Sequence, residues 1–229
     1  MLYRAVIFDL YGTLVDSFSL QEHRRVLSEM AASLAVAPDE FSRLWFETYK
    51  ERGTGIFPTV EANLEHICRV LSQVLEAEKI AAAARIRVDF TRRSLRPRPD
   101  AVRTLAQLKA WGKKIGLISD CSPDVPLLWK DTPFHPWIEG PLFSCSVGFF
   151  KPDSRLYGMV CERLAVRPQE CLYVGDGGSH ELTGALEAGM HAVLIRVPYE
   201  DSHDVHRPGA DVWQGPAIST LSDVLAMVA

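Results

Sequence analysis

Five short runs of apolar, largely β-branched residues, each stopping at a polar residue or a turn, constrain this chain more than any other feature. They are Arg4 to Asp9, Lys114 to Ser119, Leu142 to Val147, Cys171 to Gly175 and His191 to Arg196. A run that is apolar on both of its alternating faces belongs to a strand covered on both sides, as in a parallel sheet. Between the later runs lie segments with helical spacing, Asp100 to Trp111, Asp153 to Leu164 and Ser179 to Ala188. Such alternation implies right-handed crossovers, so the expected class is α/β with a doubly wound, Rossmann-like parallel sheet.

One interval breaks the pattern. From Asp16 to about Leu95 no strand-like run occurs, and apolar residues recur at helical spacing instead. Leu20, Leu27, Ala31 and Leu34 form one stripe; Phe41, Leu44, Trp45 and Tyr49 a second; Leu64, Ile67, Cys68, Leu71 and Leu75 a third. Its edges are the polar stretch Asp16-Ser17-Phe18-Ser19 and Arg96-Pro97-Arg98-Pro99, where prolines end a helix and set an extended crossing. The expected division is an α/β core over 1–15 and 97–229 with an inserted α-helical domain over 16–96. A chain of 229 residues, 47% apolar and 24% charged, suits such an ordered two-part arrangement.

Ligands of an open parallel sheet bind beyond the carboxyl ends of its strands. Four polar segments fall there: Asp9-Leu10-Tyr11-Gly12-Thr13, Ser119-Asp120, Lys151-Pro152 and Gly175-Asp176-Gly177-Gly178. In this order they resemble the four signature segments of the haloacid dehalogenase-like hydrolase superfamily, and the likeness spans the whole chain. The resemblance implies that the helical insert is a cap closing over the site. It also implies Asp9 as the nucleophile, since a carboxylate can form a covalent aspartyl intermediate that water then cleaves. Ser119 and Lys151 would hold and neutralise the oxygens of the transferring group. Thr13 and Asp120 are expected on the substrate side. Asp9, the main-chain carbonyl of Tyr11, Asp176 and Glu181 would form an all-oxygen site for Mg²⁺.

Tyr11 departs from the pattern. Superfamily phosphatases usually carry a second aspartate there, which protonates the leaving oxygen and later activates water. A phenol with an ordinary pKa of about 10 is a poor substitute near neutrality. An aromatic residue at this place resembles the 2-haloacid dehalogenases, as do Lys151 and Tyr157; against that branch, Trp45 is followed by Phe46 rather than arginine, and Gly175-Asp176 retains a metal-binding acid. The resulting expectation is a magnesium-dependent, phosphatase-type hydrolase on a small anionic metabolite. A dehalogenase and a catalytically impaired phosphate-ligand binder are the alternatives. His180 is read as an exposed helix-start residue.

The turn Glu51 to Phe57 is the candidate substrate probe, with Arg52 binding an anion and Gly55 permitting close approach. Arg85, Arg87, Arg92, Arg93, Arg96 and Arg98 make a local basic run, read as a solvated face, and Asp201 to His206 reads as a polar loop. A net charge of −4 gives no general attraction to nucleic acid or anionic membranes. Five cysteines without a Cys-x-x-Cys pair suit reduced thiols, and no stretch approaches a membrane helix, so a cytoplasmic location is expected.

Overall fold

A computed structural model describes residues 3–17, 19–74, 76–200 and 213–229. Six parallel strands, β1 (Ala5–Phe8), β2 (Lys114–Ser119), β3 (Gly140–Phe143), β4 (Cys171–Gly175), β5 (His191–Ile195) and β6 (Ala217–Ile218), form one sheet. Their order is β3-β2-β1-β4-β5-β6. β1 is central because it is apolar on both faces: Val6 and Phe8 enter one core, Ala5 and Ile7 the other, and none is exposed. The first core is closed by α6 (Ala101–Ala110), α7 (Asp124–Leu128) and α11 (Asp223–Val228). The second lies under α9 (Ser154–Leu164) and α10 (Glu181–Glu187).

From β1 the chain crosses to β2 and β3 on one side, then returns to β4 on the other. That reversal opens a crevice above β1, where ligands of such sheets collect. Phe8 pairs with Leu117 and with Val174, so Asp9 emerges level with the ends of both neighbours.

Two boundaries differ from expectation. The third run is a strand only as far as Phe143; Ser144 to Val147 form a one-turn helix, α8, because the Ser144 hydroxyl accepts from the Cys121 N–H and Gly148 turns left-handed behind it. The fourth crossover helix starts at Glu181 rather than Ser179, since Ser179 and His180 both adopt positive φ in a tight turn. α7, β6 and α11 were too short to show a period.

Between residues 16 and 96 the described residues form helices without a strand: α1 (Leu20–Leu34), α2 (Pro38–Glu47), α3 (Tyr49–Gly53), α4 (Val60–Val70) and α5 (Ala77–Ser94). All three expected stripes contribute to one shared core of their own. Ser19 caps α1 and Thr59 caps α4, each accepting a backbone N–H of the first turn. The two connections to the sheet lie side by side: the Arg98 N–H donates to the Leu14 carbonyl, and its guanidinium meets Asp16 at 3.1 Å and Glu200 at 2.6 Å.

The basic run is not one solvated face. Arg85, Arg92, Arg93 and Arg96 are exposed, but Arg87 and Arg98 are buried. Leu75 and the segment from Asp201 to His206 lie outside the described residues.

Candidate active site

Asp9 leaves β1 into a turn held by the Gly12 N–H donating to the Val15 carbonyl. Gly12 has φ +80°, and a Cβ there would stand 2.2 Å from Asp176 Oδ2, so the loop needs glycine to let Asp176 approach. Thr13 folds back and donates its hydroxyl to Asp9 Oδ2 at 3.1 Å. It therefore orients the carboxylate rather than lining the cavity.

Lys151 reaches the same carboxylate from the loop after β3. Its backbone N–H donates to Asp120 Oδ1, and its ammonium donates to Asp9 Oδ1 and Glu181 Oε2, both at 2.6 Å. Burial pulls the lysine down, but Asp9 and Glu181 outweigh it and hold the ammonium well above its usual range. Burial also raises Asp9, against the pull of Lys151, and Asp176 adds to the rise.

Ligand oxygens of Asp9, Asp176 and Glu181 lie within 4.8 Å of one another, all buried. Three carboxylates thus face one ammonium, and this excess negative charge, after burial itself, pushes Glu181 up to about 8. Such an all-oxygen set suits a small hard cation. Within it the roles differ. Glu181 already accepts from Lys151, from the Tyr173 hydroxyl and from the Gly177 N–H, so it braces the lysine from behind. Asp176 accepts from the Gly178 N–H at Oδ1 and borders the cavity directly.

That cavity, of about 250 Å³, runs from Asp9, Asp120, Lys151 and Asp176 to the helical unit above. Tyr11 and Arg52, both singled out from sequence, line it as well. Ser119 sits just behind, fully buried, with a hydroxyl that has no partner among the described residues. Gly55 is displaced from its expected role: it packs on the Cys145 carbonyl, where a Cβ would come within 2.2 Å. Glu51 and Arg52 belong to α3 rather than to an open turn. His180 is exposed.

Sequence reasoning missed His23, Trp45, Tyr49 and Arg87 as cavity residues. His23 and Arg87 each fall on their helix's buried stripe, which is the signal that marks them. No proton donor with a pKa near neutrality appears among these additions. Burial, then Asp124, raises Tyr11, and burial, with Arg87 and Arg52, lowers His23 to about 3.

The His23 shift has a stability consequence. The unfolded chain binds a proton near pH 6.5 where the folded one does not, so the neutral imidazole contributes fully above that pH. Its contribution falls by about 1.4 kcal/mol per pH unit on going down toward 3. Urea unfolding at pH 7, 6 and 5 is expected to show a steeper loss in wild type than in His23→Gln; parallel slopes would refute it.

A haloacid dehalogenase-like hydrolase family model matches residues 3–189. The chain belongs to the haloacid dehalogenase-like hydrolases. It is similar to the glyceraldehyde 3-phosphate phosphatase of Methanopyrus kandleri, at 29% identity over 201 residues and 84% of each chain. It is also similar to (S)-2-haloacid dehalogenase 4A of Burkholderia cepacia, at 26% identity over 196 residues, covering 84% of this chain and 82% of that one. Among solved structures, the 2-haloacid dehalogenase of Pseudomonas syringae pv. Tomato DC3000 aligns with a TM-score of 0.69 at 24% identity, over 99% of this chain and 100% of that one. That likeness speaks for the fold. None of the described helices is long and apolar enough to cross a membrane.

Proposed function

We propose that this hydrolase is a magnesium-dependent phosphatase acting on small anionic phosphoryl compounds, with residues 16–96 serving as its cap. The observation that carries the reading is the buried pair Asp9 and Asp176, whose oxygens lie within 4.8 Å at the mouth of the cavity. Halide displacement from carbon has no use for a second acid there. Asp9, the Tyr11 carbonyl and Asp176 would hold Mg²⁺, which would neutralise charge on the phosphoryl oxygens.

The chain's own groups supply the rest. Asp9 attacks phosphorus through a carboxylate oxygen, the bond to the leaving oxygen breaks, and water later cleaves the aspartyl-phosphate to phosphate. Lys151 and Thr13 fix the attacking carboxylate, and the buried Ser119 hydroxyl, without a partner among the described residues, would need to turn toward the cavity to meet a phosphoryl oxygen. At the position two residues after the nucleophile no ready proton is offered to the leaving group, because the partly buried phenol of Tyr11 holds its proton more tightly than usual. Leaving groups that need little protonation follow: acyl phosphates, anhydrides and aryl phosphates.

Tyr11 also favours the dehalogenase reading, and one experiment separates the two. Turnover of acetyl phosphate and of an aryl phosphate is expected with Mg²⁺ and lost in EDTA, alkyl phosphates being slower by ~10²–10⁴-fold. Halide release from a 2-haloacid in EDTA, without phosphate release in Mg²⁺, would reverse the assignment.

A further inference from the structure

Two buried arginines line the helical half of the cavity. Arg52 is 3% exposed and Arg87 7% exposed, and both line the cavity that holds Asp9 and Lys151. Arg52 is clamped in place: it lies 4.0 Å over the Trp45 ring, and Nη1 donates to the Trp45 carbonyl, the Thr48 hydroxyl and Asn63 Oδ1. All three bonds use one nitrogen. The opposite edge, Nε and Nη2, has no partner among the described residues, and no carboxylate there lies within ion-pair distance of Arg52.

Arg87 shows the complementary arrangement. Its Nε donates to the buried Asp124 at 2.9 Å, across the junction of α5 and α7, while Nη1 is buried without a partner and Nη2 takes none. Thr91 engages the same carboxylate oxygen, Asp124 Oδ2. Burial, and next the neighbouring Arg87, lowers Arg52 to about 9, so the two guanidiniums are close enough to repel. An unpaired charged donor in a buried site is costly, and a planar two-nitrogen edge is the partner a carboxylate takes bidentately.

We infer that Arg52 and Arg87 form a second anion subsite, so that the substrate carries a carboxylate at the end remote from its phosphoryl group. Trp45 and Asp124 are positioning residues that hold the two forks. With about 250 Å³ to fill, at ~30 Å³ for a water-sized portion, the substrate spans both subsites only as a short metabolite. The phosphoryl end rests on the function proposed above; the carboxylate end does not.

The test is calorimetric titration of the Mg²⁺-supplemented full chain with phosphonoacetate, which carries both groups and is not hydrolysed, and with methylphosphonate, which carries one. Wild type is expected to bind phosphonoacetate about 10- to 100-fold more tightly. That preference should disappear in Arg52→Gln and in Arg87→Gln combined with Asp124→Asn, the second change removing the carboxylate that would otherwise be stranded. If a variant does not fold, Arg52→Lys and the wild-type comparison carry the test. Equal affinities in wild type, or a preference that survives both variants, would overturn the subsite and leave the phosphatase reading standing. Binding of malonate that needs Arg52, with neither phosphonate bound, would keep the subsite and overturn the phosphoryl reading. Binding of none of the three would overturn both.

Discussion

Asp9→Asn is expected to lower turnover by at least ~10⁴-fold on every substrate the enzyme accepts, with the fold intact. A nucleophile that takes the covalent intermediate has no substitute, and removing one from other enzymes has cost on the order of 10⁶. The fold should survive because burial already raises Asp9, and its charge adds to the load borne by Glu181. Lys151 keeps its 2.6 Å contact to Glu181 when Asp9 becomes neutral, so no ammonium is stranded. Melting temperature equal to or above that of wild type, alongside the lost activity, is the expected pair of measurements. Retention of more than a few per cent of activity by a variant free of deamidation would remove Asp9 from its role.

How much of this site was legible in the sequence depended on whether a residue ended an apolar run. Asp9, Ser119, Gly175 and Asp176 close or follow strands whose interiors are uniformly apolar, and parallel pairing brings those ends to one edge. Lys151 was readable from its place after the third run, although that run is shorter as a strand than its apolarity suggested. Glu181 was readable as an acid of the site but not as the brace of Lys151, since that depends on the Tyr173 hydroxyl eight residues away. The residues above the crevice were harder. Arg87 looked like one of six basic surface residues until its position on the stripe Ile80, Ala83, Ala84, Phe90 is counted. His23 sits likewise with Val26, Leu27 and Met30. A charged or polar residue on a helix's apolar stripe must find a partner or a cavity, so such exceptions carry more information than the basic cluster around them. Gly55 failed as a substrate contact for the opposite reason: glycine signals close approach, but the partner is the Cys145 carbonyl.

Tyr11→Asp is expected to raise kcat on alkyl phosphates by ~10²–10⁴-fold, the usual worth of a positioned acid and base. Tyr11 lines the cavity beside Asp9, where burial, Asp124 and Asp9 all oppose ionisation of the phenol. The same surroundings would raise an aspartate, which begins near 4 rather than 10, toward the range where it can both give and take a proton. The aspartyl-phosphate should then shorten in lifetime as well, because the group that protonates the leaving oxygen also activates water in the second half of the reaction. Acetyl phosphate should gain much less, since its leaving group departs without a proton. Removing the ring costs packing, for Tyr11 sits against the first core, and a loss of ~2–4 kcal/mol in urea unfolding is expected. Tyr11→Phe separates the two effects: it keeps the ring and is expected to leave activity on acetyl phosphate within about twofold, as a phenol that stays protonated contributes no proton transfer. If Tyr11→Asp folds, binds Mg²⁺ and still shows neither faster alkyl phosphate turnover nor a shorter-lived phosphoenzyme, then a missing acid is not what limits this enzyme. A large loss in Tyr11→Phe would instead give the phenol hydrogen a direct part in the reaction.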